Sequence, residues 1–197
     1  MSEYNFIVES GASLRFKTAG KYCDRDIVVT ATGGSSDYLV SRLNNTIKSY
    51  KNDEVETIPA YAFYGCTVLE SVAFPSCEVV RNDAFYNCVK LESVELPNVT
   101  SIEGSAFRLC AILPNIDLPL VTSIGSNAFQ ECRKLQSIIL RSQTVCTLGS
   151  NVFLSTLIAS GTGYIYVPAD LVESYKTATN WVTYANQIKP LSEYKEE

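Results

Sequence analysis

The chain has 197 residues, 46% of them hydrophobic, with no histidine and a formal net charge of −5. A mean hydropathy of +0.05 and a pI near 4.9 suit a folded chain with a sizeable core, and argue against nucleic acid or a polybasic membrane patch as a partner. The missing histidine removes the commonest general base, the commonest metal ligand and every Ser-His or Cys-His pair.

From the N-terminus, MSEYNFIVES shows no charged n-region followed by an apolar h-region, so no signal peptide is expected. No apolar run approaches the roughly 20 residues of a membrane helix. Residues 1–36 alternate in FIVES, SLRFK and DIVVTAT, which predicts a small β element of two or three strands ending in a GGSS hinge at 33–36. Asp24 and Asp26 flank Arg25 in an expected hairpin turn, a solvated loop and not an acid–base pair. The segment KTAGKYCDRDIVV (17–29) resembles a short module of tail-associated proteins in phages and prophages, which implies a structural or receptor-binding part of a tail.

Residues 37–168 are dominated by a repeat. Phe63, Phe85, Phe107 and Phe129 stand 22 residues apart, and Phe153 follows 24 later. Ile58, Val80, Ile102 and Ile124 keep the same interval, as do Leu69, Leu91, Leu113 and Leu135, and Val72, Val94, Ile116 and Ile138. Such a period means a solenoid, in which each coil buries its apolar face only against its neighbours. In LESVELPNVTSIEGSAFRLCA (91–111) the alternation Val94, Leu96 predicts a short strand that Pro97 ends. Gly104-Ser105 supplies a bend, and Ala106-Phe107-x-x-Cys110 suits one helical or 3₁₀ turn. Extended backwards, TIKSYKNDEVETIP (46–59) is a degenerate, polar entry coil. The pattern I-x-x-x-A-F-x-x-C-x-x-L-x-S-V-x-L-P, over about residues 46–168, resembles the BspA-type leucine-rich repeats of bacterial surface antigens. That resemblance implies a right-handed α/β solenoid of 22-residue coils with a parallel sheet on one face, used for adhesion or protein binding. The Asn/Cys position after the strand holds Cys77, Val99 and Val121, so apolar packing should replace an asparagine ladder there.

Residues 169–197 predict a helical cap. Leu171, Val172 and Tyr175, then Trp181, Tyr184 and Ile188, follow helical spacing, with Thr179-Asn180 as a helix start between them. Trp181 should seal the core; a sharper alternative makes Tyr164, Tyr166, Tyr175 and Trp181 an aromatic ligand site.

The seven cysteines are too sparse and odd in number for a disulfide scaffold, so free thiols are expected. Cys66, Cys88, Cys110 and Cys132 should form a row with the roughly 4.8 Å coil spacing of parallel strands. Such a row cannot gather four sulfurs about 2.3 Å from one zinc ion. Stacked side chains that point the same way do not favour disulfides either, which leaves soft packing beside the phenylalanines. No catalytic, metal or cofactor residues are expected. Recognition is expected on outward strand positions: Ser93 and Glu95, Asn115 and Asp117, Ser137 and Ile139, Tyr164 and Tyr166, mildly acidic first and then apolar and aromatic. The leading expectation is a non-enzymatic module binding protein or glycan at a bacterial surface. The alternative is a phage or prophage tail component. The chain would be at the cell surface or extracellular if an export signal has been removed, and otherwise virion-associated or cytoplasmic.

Overall fold

The computed structural model describes Tyr4–Val8, Ile27–Ala31 and residues 48–195. The GGSS hinge, the Asp24–Asp26 turn, Cys23 and the first two residues of the entry coil lie outside them. Each coil contributes one strand to a main sheet and a two-residue strand to a second sheet, then turns through the Ala-Phe phrase. The main-sheet strands are β3 (Ser49–Lys51), β5 (Ser71–Ala73), β7 (Ser93–Glu95), β9 (Asn115–Leu118), β11 (Ser137–Leu140) and β13 (Tyr164–Val167). Between them run β4 (Thr57–Ile58), β6 (Val79–Val80), β8 (Ser101–Ile102), β10 (Ser123–Ile124) and β12 (Thr147–Leu148). Pairing is parallel, and its register is the sequence period itself: Val72 faces Val94, and Ile102 faces Ile124.

The N-terminal β element consists of β1 (Tyr4–Val8) and β2 (Ile27–Ala31), paired parallel to each other. β2 also pairs with β3, Val28 opposite Ser49, so both strands extend the main sheet. The main sheet is divided between β7 and β9, and the sequence explains the break. Glu70, Glu92 and Gln136 each donate a backbone N–H to the preceding coil, at 2.6, 2.8 and 2.8 Å. Pro114 holds that place in the β9 coil and has no N–H to give.

The core is a column of phenylalanine rings. Phe63, Phe85, Phe107 and Phe129 stack at centroid spacings of 4.9, 5.0 and 5.3 Å, with interplanar angles of 12° or less. The step to Phe153 widens to 6.1 Å, where the repeat lengthens to 24 residues.

The Ala-Phe phrase departs from the expected helical turn. In the Phe107 coil it is a run of separate turns, with Arg108 N–H bonded to Ser105 O (3.1 Å) and Cys110 N–H to Phe107 O (3.1 Å). Ser105 and Leu109 are left-handed, at φ 55° and 64°, which breaks any helix. The N–H groups between, of Phe107 and Leu109, reach forward to Ala128 and Gln130 of the next coil. The same two left-handed positions recur as Asp83 and Asn87, Asn127 and Glu131, and Asn151 and Ser155.

The cysteines beside the phenylalanines do more than fill space. Cys88, Cys110 and Cys132 donate their thiols to the carbonyls of Phe63, Phe85 and Phe107, at 3.1, 3.3 and 3.0 Å. Each is a rung linking successive coils. The hydrogen bond with Cys66 and burial hold the Cys88 thiol above its ordinary pKa, and burial together with Cys132 does the same for Cys110. These groups stay protonated and non-nucleophilic. The six described cysteines are free. Cys77, Val99 and Val121, at the place of an asparagine ladder, are fully buried.

The C-terminal cap is partly helical. A 3₁₀ turn at Ala169–Leu171 leads into α1 (Val172–Thr177), followed by a 3₁₀ segment at Trp181–Gln187 that is kinked at Tyr184. The expected second helix stops there: Ile188 belongs to a strand, β14 (Ile188–Pro190), parallel to β13. Its partner is Ile165, so sheet pairing overrides the helical spacing from Trp181. Asn180 precedes the 3₁₀ segment but is left-handed, and its side chain makes no cap hydrogen bond there. Its Nδ2 donates instead to Leu148 O at 2.6 Å.

Trp181 and Tyr175 close the core. Trp181 lies 6.1 Å from the last phenylalanine ring and 5.0 Å edge-on from Tyr175. Its Nε1 donates to Cys146 O at 2.6 Å, while the Tyr175 hydroxyl accepts from Cys146 N–H at 2.9 Å and donates to Thr144 O. Both residues are fully buried. The four-aromatic ligand site considered from sequence is therefore split, since Tyr175 and Trp181 serve the core.

Candidate binding face

The predicted recognition residues occupy consecutive strands of the main sheet. Ser137 faces Asn115 on one side and Tyr164 on the other, and Ile139 faces Asp117 and Tyr166. Ser93 and Glu95 are the matching outward positions of β7, across the break at Pro114, and both are exposed. Asn115 and Asp117 are exposed as well. Period-two alternation sends these side chains away from the core while Val94, Ile116, Ile138 and Ile165 point in.

Two residues differ from expectation. Ile139 is not exposed: it retains 1% of its accessible surface, between Asp117 and Tyr166 on the outward side. Asp117 is not a bare acid, because Arg141 grips it in a two-pronged pair, with Nε 3.0 Å and Nη2 2.7 Å from Oδ2. That pairing sets a cation beside the acid expected there.

At the C-terminal end of the face lies a cluster that the sequence reading only half found. Tyr164 is 37% exposed, and its ring lies 6.2 Å from that of Tyr166. Tyr166 in turn packs 5.0 Å from Tyr194. Lys189 of β14 sits opposite Tyr166 in register, with Nζ 5.7 Å from the Tyr164 ring centre and 3.1 Å from Glu193. The hydrogen bond with Glu193 raises the Lys189 pKa, so this ammonium stays charged. Burial, with Tyr164 and Glu193 adding, raises the Tyr166 pKa and keeps its hydroxyl neutral. Helical spacing from Trp181 through Ile188 hides Lys189 as a strand residue, and Tyr194 with it. The signal was Ile188-Lys189-Pro190, an echo of the strand-ending prolines in Tyr164–Pro168 and Val94–Pro97.

A second exposed aromatic group lies on the turn edge, in the variable place of the Ala-Phe phrase. Tyr64 and Tyr86 stack at 4.8 Å and 4°, with Tyr61 beside Tyr64 and the Arg108 guanidinium over Tyr86. Among the described residues, no three His, Cys, Asp or Glu side chains are placed to hold a metal ion. No helix among them is long and apolar enough to cross a membrane.

Stacked coils with this phrase are a family property. Residues 42–162 match the BspA type leucine rich repeat region in six copies. The chain belongs to the BspA-type leucine-rich repeat family. Three solved structures share the fold. A leucine rich repeat protein of T. pallidum is 25% identical, with a TM-score of 0.51, over 73% of this chain and 58% of its own. One from Bacteroides ovatus is 22% identical with a TM-score of 0.58, over 83% of this chain and 42% of its own. A leucine rich cell surface protein of Faecalibacterium prausnitzii is 22% identical, also at 0.58, over 96% of this chain and 49% of its own. The chain thus spans about half the length of these proteins. No curated protein matches.

Proposed function

We propose that this BspA-type solenoid is a non-catalytic binding or adhesion module of a bacterial surface, which engages protein or glycan through the outward face of its main sheet. The observation that carries the reading is the cluster of Tyr164, Tyr166, Tyr194 and Lys189 at one end of that face. Tyrosines joined by a cation have the composition of recognition surfaces, where a rigid apolar body carries a polar tip. Ser93, Glu95, Asn115, Asp117 and Ser137 supply the polar approach to it, with Ile139 as a buried support. The net charge of −5 favours such partners over nucleic acid. The tail-associated alternative rests on residues 17–29, of which only Ile27–Val29 are described, as part of β2. Tail-assembly genes beside this one would favour that alternative.

The test is a glycan and surface-protein array probed with the wild-type chain and a Tyr164→Ala/Tyr166→Ala double variant. The expected result is at least one wild-type signal that the double variant loses. Equal signals from both proteins would remove the face from the account.

A further inference from the structure

Two ion pairs flank the tyrosine cluster, and this narrows what can bind there. We propose that the ligand is a neutral oligosaccharide, an inference that rests on the face described above. Lys189 is neutralised by Glu193 at 3.1 Å, and Asp117 by Arg141 at 2.7 Å. Glu95, the remaining outward carboxylate of the face, stands on β7, across the break that separates it from β9, β11 and β13. An anionic or cationic ligand would have to compete with the partner already held in each pair. A polyol need not, because a Lys–Glu pair offers both a donor and an acceptor to hydroxyl groups.

The aromatic surface fits the same ligand. The C–H face of a pyranose carries slight positive charge and packs on the negative face of a tyrosine ring. Within the cluster, Tyr164 is the ring most open to such stacking. Ser137 and Asn115 follow it in register, with short polar side chains instead of the aliphatic pocket that a protein hot spot fills. On the far side of Lys189 and Glu193, an open groove runs along β14, lined also by Val172, Lys176, Asn186 and Pro190. Lys189 and Glu193 belong to both surfaces, which gives a sugar chain stacked at Tyr164 a second place to extend.

Affinity electrophoresis of the full chain tests this, in native gels containing laminarin, xyloglucan or galactomannan as neutral probes and polygalacturonate or hyaluronan as acidic ones. At least one neutral polysaccharide is expected to retard the wild-type protein. Its apparent Kd should rise about tenfold or more in Tyr164→Ala/Tyr166→Ala and about threefold in the exposed-site variant Lys189→Met. Tyr61→Ala, on the other aromatic group, should leave it unchanged. No retardation by any neutral polysaccharide, or stronger retardation by the acidic ones, overturns the inference. If a protein on the array binds through Tyr164 and Tyr166 while every saccharide fails, the face stands and the sugar falls. If a saccharide retards wild type and both tyrosine and lysine variants equally, the face itself falls.

Discussion

The middle of the solenoid and its C-terminal end solve the same problem with different groups. In the middle, carbonyls of one coil accept N–H groups of the next: Glu78 O receives Thr100 N–H at 2.9 Å, and Thr100 O receives Thr122 N–H at 2.8 Å. Among the described residues, β12 is the edge strand of that sheet. Tyr175, Asn180 and Trp181 take the place of a next coil, and their side chains bond the backbone of Thr144, Cys146 and Leu148. A repeat can therefore be closed by three side chains that imitate a strand, and a lesion in one of them cannot be shared with a neighbouring coil.

Trp181→Ala should have the largest effect, near the upper end of the roughly 3–5 kcal/mol of a buried aromatic truncation, since Cys146 O also loses its donor. Urea unfolding followed by circular dichroism measures it. Phe107→Ala, in a central coil, should cost about 3–5 kcal/mol, with rings on both sides left to relax toward the gap. A cost for Trp181→Ala well below that of Phe107→Ala would contradict the contrast between end and middle. Asn180→Gly keeps the left-handed backbone at ease and isolates one hydrogen bond, so a loss of about 1 kcal/mol is expected. Cys110→Ala should cost about 1–2 kcal/mol for one thiol rung and leave metal content unchanged. Smallest is Leu109→Gly, which removes a left-handed strain and should stabilise by at most about 1 kcal/mol.

Alkali should weaken the C-terminal end. Burial raises the Tyr175 pKa to about 12 from 10.0, and the Cys146 pKa to about 12 from 9.0. The folded chain keeps these protons where the unfolded chain releases them. Their stabilisation is whole below about pH 9 and is lost as pH rises towards 12. Trp181, the single tryptophan, is inside the cap, so its fluorescence follows that loss directly.

The difference between the regions also decides what was legible in the sequence. Phe63, Phe85, Phe107 and Phe129 announce themselves by recurrence, because each sits in the same environment as the last. Strand register and the inward face follow from that interval. Ile188 has no such copies, so local spacing from Trp181 read as helix, while its pairing with Ile165 made it strand. Leu109 and Glu131 adopt left-handed turns that their residue types do not signal; the ladder to the next coil imposes them. On the face, the alternation placed Ser93 through Tyr166 on one side but could not show that Arg141 reaches Asp117, or that Ile139 is covered. Those are contacts between coils, set by side-chain reach and not by period.

The central claim is that the C-terminal end carries recognition on its outward side, separately from closure on its inward side. Binding and urea stability measured side by side on Tyr164→Ala/Tyr166→Ala test it most directly. Lost binding is expected, with a stability change under about 2 kcal/mol, since neither ring belongs to the main core. Full binding by a variant that is folded would contradict it.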